Sequence, residues 1–150
     1  MERSILVSAC LLGLNTRYDG STKADRRVLD YLRQHNLTPI PVCPEQLGGL
    51  PTPRQRSWFV NGDGSTVLDG NGEITNADIS MNLAFIRGAQ EVLKIARLTD
   101  CRRAILKQRS PSCGVGEIYR QNLVVSGDGV TTTLLKRQQI EVISEDDLDF

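Results

Sequence analysis

The sequence predicts an α/β fold with a mainly parallel sheet covered by helices. Three observations predict it. Short apolar runs alternate along the chain with amphipathic helical stretches, the pattern of strand–helix–strand units. The 150 residues make one ordinary domain, 1–150, with room for a real core and none for a second domain of typical size. Aromatic residues make up only 5%, so that core is built mostly from Leu, Ile and Val.

Residues 4–8 (SILVS) are a short apolar run with β-branched members and read as a buried strand. Residues 9–22 are rich in Gly, Asn and Asp and read as a loop. Residues 24–35 carry Val28, Leu29 and Leu32 at helical spacing with charges between them, an amphipathic helix. The run TPIPVC suggests a second strand ending near Cys43. PEQLGGLPTPR is dense in Pro and Gly and reads as irregular. Within 59–72, NGDG and DGNG are hairpin-turn signals, which suit two short strands or a flexible excursion.

The strongest helical pattern runs over 76–98, with Ile79, Leu83, Ile86, Val92, Leu93 and Ala96 as its stripe. Gly88 inside it costs about 1 kcal/mol against Ala, which marks a place of close packing. Residues 103–106 (RAIL) read as a third buried strand and KQRSPSCGVGEIY as a loop. A helix over 129–138 and a last strand over 140–143 follow. The acidic tail SEDDLDF reads as solvated.

Charge and hydropathy narrow the function. The 18 Lys and Arg balance 18 Asp and Glu, so no basic surplus favours nucleic acid as a partner. No secretory signal is recognisable, and no run approaches the roughly 20 apolar residues of a membrane helix. The expected compartment is the cytoplasm, where thiols stay reduced. There is no P-loop, complete GxGxxG or Ser-His-Asp set.

The four cysteines carry the chemistry. Cys10 follows the first strand, Cys43 ends the second, and Cys113 follows the third. In an open parallel sheet the loops at the carboxyl ends of strands gather on one edge, so these three should meet. Each also sits in a Gly, Pro or Ser loop that lets a ligand approach closely. Cys101 precedes the third strand and reads as a small buried hydrophobe at the opposite edge. Zinc sites usually show local CxxC pairs, which are absent, and His35 sits at a helix end among surface-like neighbours. Three thiolates suit a [4Fe-4S] cluster with one iron left open, and an open iron is a Lewis acid.

Glu45 lies two residues beyond Cys43. It is either a surface carboxylate in a turn or a general acid–base group brought to the metal edge. Ser110 and Ser112 flank Pro111 just before Cys113; Pro111 biases Ser110 to extended geometry and can aim a hydroxyl at the site. Arg17, Tyr18, Asp19, Gly20 and Arg54 either line a pocket or pin loops. Two other classes of function share the metal reading: a cluster-binding sensor and a structural metal module, both without catalysis.

SACLLGLNTRYDG, PVCPEQLGGLPTPR, ILKQRSPSCGVGEIY and GVTTTLLKRQQIEVISE together resemble the thiouracil desulfidases, a short bacterial family, over nearly the whole chain. The resemblance implies a single three-layer Rossmann-like domain and an oxygen-sensitive [4Fe-4S] cluster. It implies cluster ligation by Cys10, Cys43 and Cys113, with the substrate's sulfur on the fourth iron. It further implies replacement of that sulfur by water without redox change, assisted by an acidic residue matching Glu45 and by a serine. Ser110 is the first choice for that catalytic serine; Ser112 is the second and a candidate substrate contact. Thr16 stands where relatives often carry a cysteine, which an open iron tolerates. The implied partner is a small thiolated pyrimidine, 2- or 4-thiouracil.

Overall fold

Aliphatic and β-branched residues dominate the runs that pair at the centre of the molecule. In the computed structural model residues 3–148 are described. In chain order they form β1 (Ser4–Ser8), α1 (Arg26–Gln34), β2 (Thr38–Val42), α2 (Pro44–Leu47), β3 (Trp58–Asn61), α3 (Gly64–Leu68) and β4 (Glu73–Thr75). Then come α4 (Asn82–Leu98), β5 (Arg103–Leu106), β6 (Glu117–Arg120), β7 (Leu123–Ser126), α5 (Val130–Arg137) and β8 (Glu141–Ser144). The central sheet runs β2-β1-β5-β8, every neighbouring pair parallel. Parallel neighbours need crossovers, and the helices supply them.

Strand alternation divides the core into two faces. Ile5 and Val7 of β1 and Ile105 of β5 pack with Val28 and Leu32 of α1. Leu6, Ala104 and Leu106 point the other way, against Val92, Leu93 and Ala96 of α4 and Leu135 of α5. This makes the three layers of a Rossmann-like fold. A third cluster joins Phe59, Val67, Ile74 and Phe85 beneath β3, β4 and α3. Proline lacks the N–H an edge strand would expose, so Pro39 and Pro41 blunt the β2 edge.

Several local expectations are corrected. Helix α1 starts at Arg26 because Asp25 accepts from the Arg27 N–H at 2.9 Å, and Leu29 faces outward while Val28 and Leu32 are buried. Helix α4 starts at Asn82, since Asn76 Oδ1 accepts from the N–H groups of Asp78 and Ile79 and holds a turn there. Ile79 and Leu83 are consequently exposed, and Phe85, Gly88 and Ala89 complete the buried stripe instead.

The two short strands expected around NGDG and DGNG are present, but the runs do not form a tight hairpin turn between them. Antiparallel β3 and β4 are joined through α3, which Asp63 and Thr66 open with a reciprocal capping box. PEQL is helical, with Pro44 in the first turn, where its missing N–H costs nothing. The supposed loop after β5 contains β6, which pairs with β7 around Gln121 and Asn122. The acidic tail is not all solvated: Glu145 is buried in a short 3-10 turn capped by Ser144. The last two tail positions, 149 and 150, lie outside the described residues.

Candidate active site

Neighbouring strands deliver the cysteines. Cys10 lies in a 3-10 turn, Ala9–Leu12, directly after β1. Cys43 is the residue that opens α2 after β2. Cys113 lies in the loop after β5. Since the sheet order is β2-β1-β5, the three strand ends are adjacent. All three thiols, none in a disulfide, line one cavity of about 530 Å³ at the carboxyl edge of the sheet. Cys101 lies at the other edge, buried with Ala96 and Ile140, its sulfur 3.1 Å from Thr99 Oγ1.

Glu45 and Ser110 line the same cavity. Ser112 is fully buried behind it and donates to Glu45 Oε1 across 2.6 Å. The opposite oxygen, Oε2, takes a salt bridge from Arg54 at 3.3 Å and the Cys43 thiol at 3.7 Å. Arg54 in turn donates to the Thr16 carbonyl at 3.0 Å and to Thr52 Oγ1 at 2.8 Å. The carboxylate is therefore held on both oxygens. Ser110 Oγ accepts from the Cys113 N–H at 2.8 Å and lies 3.3 Å from Ser112 Oγ. Ser112 has one proton and gives it to Glu45, so Ser110 is the donor in that pair. The hydroxyls form a chain from the cavity wall to the carboxylate.

The loop that carries Ser112 and Cys113 is gripped by α5. Its first N–H groups, on Val130, Thr131 and Thr132, bond the carbonyls of Pro111 and Ser112, and Thr132 Oγ1 donates to the Cys113 carbonyl at 2.9 Å. Gln108, buried under the loop, donates to the Val115 carbonyl and accepts from the Val115 N–H, each at 2.7 Å. On the other side, Gly48 and Gly88 let α2 and α4 cross in backbone contact: a Cβ at Gly88 would strike the Pro44 carbonyl. That crossing fixes the helix bearing Glu45, which is the close packing expected at Gly88.

Burial governs the thiols. Desolvation raises Cys10 from the ordinary 9.0 to about 11, opposed by the charge of Lys107 and reinforced by Glu45. Cys43 is raised by burial and then by Glu45. Cys113, fully enclosed, is raised furthest, again by burial first. Glu45 thus acts on all three sulfurs.

Of the loop residues that sequence left between pocket and pinning, Arg17 and Tyr18 line the cavity. Asp19 turns away to accept from the Ser21 N–H at 3.0 Å, and Gly20 supplies the positive φ of the same turn. Arg54 does both. Six cationic side chains line the cavity: Arg17, Lys23, Arg54, Arg56, Lys107 and Arg109. Among the described residues, Glu45 is the only acidic one in that lining. Sequence reasoning missed Ser8, Lys107, Gln108 and Glu145. Lys107 was legible, since it directly follows the 103–106 strand at the carboxyl edge. The other three carried no local signal.

Among the described residues no group of three or more His, Cys, Asp or Glu side chains is placed to hold a single metal ion. The cysteines instead ring a cavity. Soft sulfur donors spread around such a space fit a polynuclear iron–sulfur cluster better than one ion.

Known proteins resemble this chain in sequence, and one solved structure resembles it in fold. A model of the family described as 2-thiouracil desulfurase matches residues 5–147. The chain is 37% identical over 149 residues to the uncharacterized protein YbbK of Bacillus subtilis (strain 168), covering 97% of each. The solved structure of TudS, a [4Fe-4S]-dependent thiouracil desulfidase, matches with a TM-score of 0.83 at 38% identity, over 98% of this chain and 93% of that one. Among the described residues no helix is long and apolar enough to cross a membrane.

Proposed function

The chain belongs to the 2-thiouracil desulfurase family, and from that premise we propose that it converts 2- or 4-thiouracil and water into uracil and hydrogen sulfide with no net electron transfer. The observation that carries this is the placement of Glu45, fixed by Ser112 and Arg54 at the wall of a cavity ringed by Cys10, Cys43 and Cys113. Cys10, Cys43 and Cys113 would hold a [4Fe-4S] cluster, which when bound would supply Lewis-acid chemistry toward the substrate's sulfur.

The residues of the chain manage water and protons. Ser110 lines the cavity with one lone pair taken by the Cys113 N–H and another left to accept from a water. Glu45 takes a proton from that water as it attacks the thiocarbonyl carbon. Ser112 and Arg54 keep the carboxylate aimed, and Ser112, enclosed behind the wall, reaches the cavity only through Ser110, 3.3 Å away. Both protons of the water end on the departing sulfur, so atoms and charge balance.

The cation-rich lining favours a second reading of the substrate. Arg54, Lys107 and Arg109 are paired with carboxylates, so the surplus rests on Arg17, Lys23 and Arg56, which suits an anion, such as a thiolated pyrimidine nucleoside 5′-phosphate, better than a neutral base. Anaerobic reconstitution tests the function. Iron and sulfide should reach the ratio of a [4Fe-4S] cluster, and uracil should appear from thiouracil. A loaded cluster without uracil release sinks the proposal. Comparing kcat/KM for the free base and the phosphorylated nucleoside separates the two substrate readings.

A further inference from the structure

Among the described residues, six besides the glycines take a left-handed backbone. Five have an ordinary reason. Asn36, Asp100 and Gln139 each lie one position past the capping residue at a helix C-terminus, where that conformation commonly ends a helix. Ala77 and Gln121 sit in tight turns, the second between β6 and β7. Arg109 is the exception. Its φ is 74°, it ends no helix and turns no hairpin, and it immediately precedes Ser110. Of the six, it alone lines the cavity. A residue with a Cβ is penalised in that region, and strain of this kind gathers where a site must hold a particular geometry.

Four contacts hold the turn. The Arg109 N–H donates to Gln108 Oε1 at 3.1 Å, and its carbonyl accepts from the Tyr119 N–H at 3.1 Å. Its Nε lies 3.3 Å from Glu117 Oε1, and its outer guanidinium nitrogen lies 2.8 Å from Asp146 Oδ2. Glu117 opens β6, where the loop bearing Ser110, Ser112 and Cys113 ends, and Asp146 lies in the 3-10 turn after β8. The arginine therefore closes that loop on itself and ties it to the end of a neighbouring strand. Half-exposed ion pairs add little to stability, and glycine would take the same φ without penalty. What the pairs add is a fixed direction for the next residue. That residue is Ser110, whose Oγ accepts from the Cys113 N–H at 2.8 Å and lines the cavity.

We propose that Arg109 is a positioning residue: Glu117 and Asp146 hold its left-handed turn, and the turn aims the Ser110 hydroxyl at the cavity and at the Cys113 N–H. This rests on the role given to Ser110 above. With two carboxylates engaging it, the guanidinium acts on the backbone beside it and not on the substrate.

The test removes the two carboxylates and then the strain. Glu117→Gln with Asp146→Asn leaves the arginine in a disfavoured backbone without its side-chain anchors. The kcat for uracil release should fall roughly ten- to hundred-fold with KM little changed, since a misaimed group costs rate and not binding. Adding Arg109→Gly should recover most of that loss, because glycine takes the left-handed turn unaided. A guanidinium that touched substrate would give the reverse order, with the carboxylate variant active and the glycine variant defective. Ion pairs that only stabilise would leave kcat alone. Either result overturns the proposal. Amide hydrogen exchange on the cluster-free chain reads the same event without turnover: the Cys113 N–H should lose protection in the carboxylate variant and regain it with the glycine. Unchanged exchange at Cys113 overturns the proposal whatever the kinetics show. Ser110→Ala separates the two readings: uracil release at the wild-type rate in that variant strikes the role given to Ser110, whereas the exchange pattern still decides whether Arg109 aims it.

Discussion

Ser112 Oγ and Glu45 Oε1 lie 2.6 Å apart although 67 positions separate them in sequence. The contact joins the loop after β5 to the helix after β2, across the end of β1. It is the shortest polar link between the two halves of the cavity wall that carry Cys43 and Cys113. Because Ser112 is fully buried, no water competes for the carboxylate oxygen it serves, so the bond is stronger than an exposed one would be.

Glu45→Gln should remove turnover while keeping the cluster. The amide preserves size and can still bond Ser112, but it cannot take a proton from water. Losing a positioned base costs roughly 10²–10⁴-fold in kcat. Uracil release measured beside iron content checks this. A variant that loses its iron would make Glu45 a structural residue.

Ser112→Ala and Ser110→Ala should fail in different ways. Removing Ser112 takes from Glu45 a bond to a charged group, about 1.5–3 kcal/mol, which is roughly ten- to hundred-fold in kcat if spent on orientation. Removing Ser110 also strands the Cys113 N–H, whose acceptor it is. An unpaired buried amide costs about 1–3 kcal/mol. In a chain of this size that lowers Tm by roughly 2–10 °C. Kinetics and thermal melting together should therefore show a mainly kinetic defect for Ser112→Ala and a combined one for Ser110→Ala.

How much of this was legible in the sequence follows from how local each signal is. The central strands at 4–8 and 103–106 were, because an apolar run of that length has few other uses. The split of three cysteines from Cys101 was also legible, since it needs only strand order. The β6–β7 hairpin was not: its turn is Gln121-Asn122, without the glycine that marks tight turns. Helix α3 hid behind NGDG because Asp63 caps a helix as readily as it makes a turn. Glu145 looked like part of a solvated acidic tail, and only its partner 38 positions earlier, Lys107, shows otherwise. The balanced net charge likewise says nothing of where charges sit, and six cations converge on one cavity.

Gly88→Ala should weaken the site from outside it. Alanine in mid-helix gains about 1 kcal/mol of propensity. Its methyl would press on the Pro44 carbonyl, and backbone cannot swing aside as a side chain can. Such overpacking costs typically about 1–3 kcal/mol, so stability falls slightly or not at all. The larger effect is displacement of α2, which carries Glu45 and starts at Cys43. A shift of about 1 Å can cost roughly 10²-fold in rate. The expected result is a large drop in kcat with a small change in Tm; unchanged kcat would show that α2 is not held by this crossing.

The cluster-free chain should lose stability as the solution turns alkaline, and the sign follows from the thiols. Burial raises Cys10 from 9.0 to about 11, and it raises Cys43 and Cys113 in the same direction. Between those values the folded chain keeps a proton on Cys10 that the unfolded chain has lost. The folded state then binds more protons, so its stability falls with rising pH. The contribution is complete below about pH 9 and is lost as pH climbs toward about 11, at roughly 1.4 kcal/mol per pH unit for each such thiol. Urea unfolding midpoints followed by circular dichroism from about pH 8 to about pH 11 should fall across that window. Lysines and tyrosines also titrate near its upper end, so Cys10→Ala supplies the control: its midpoint should fall less steeply than the wild type's, and an identical slope would mean that the buried Cys10 thiol is not what the alkaline solution is pulling against.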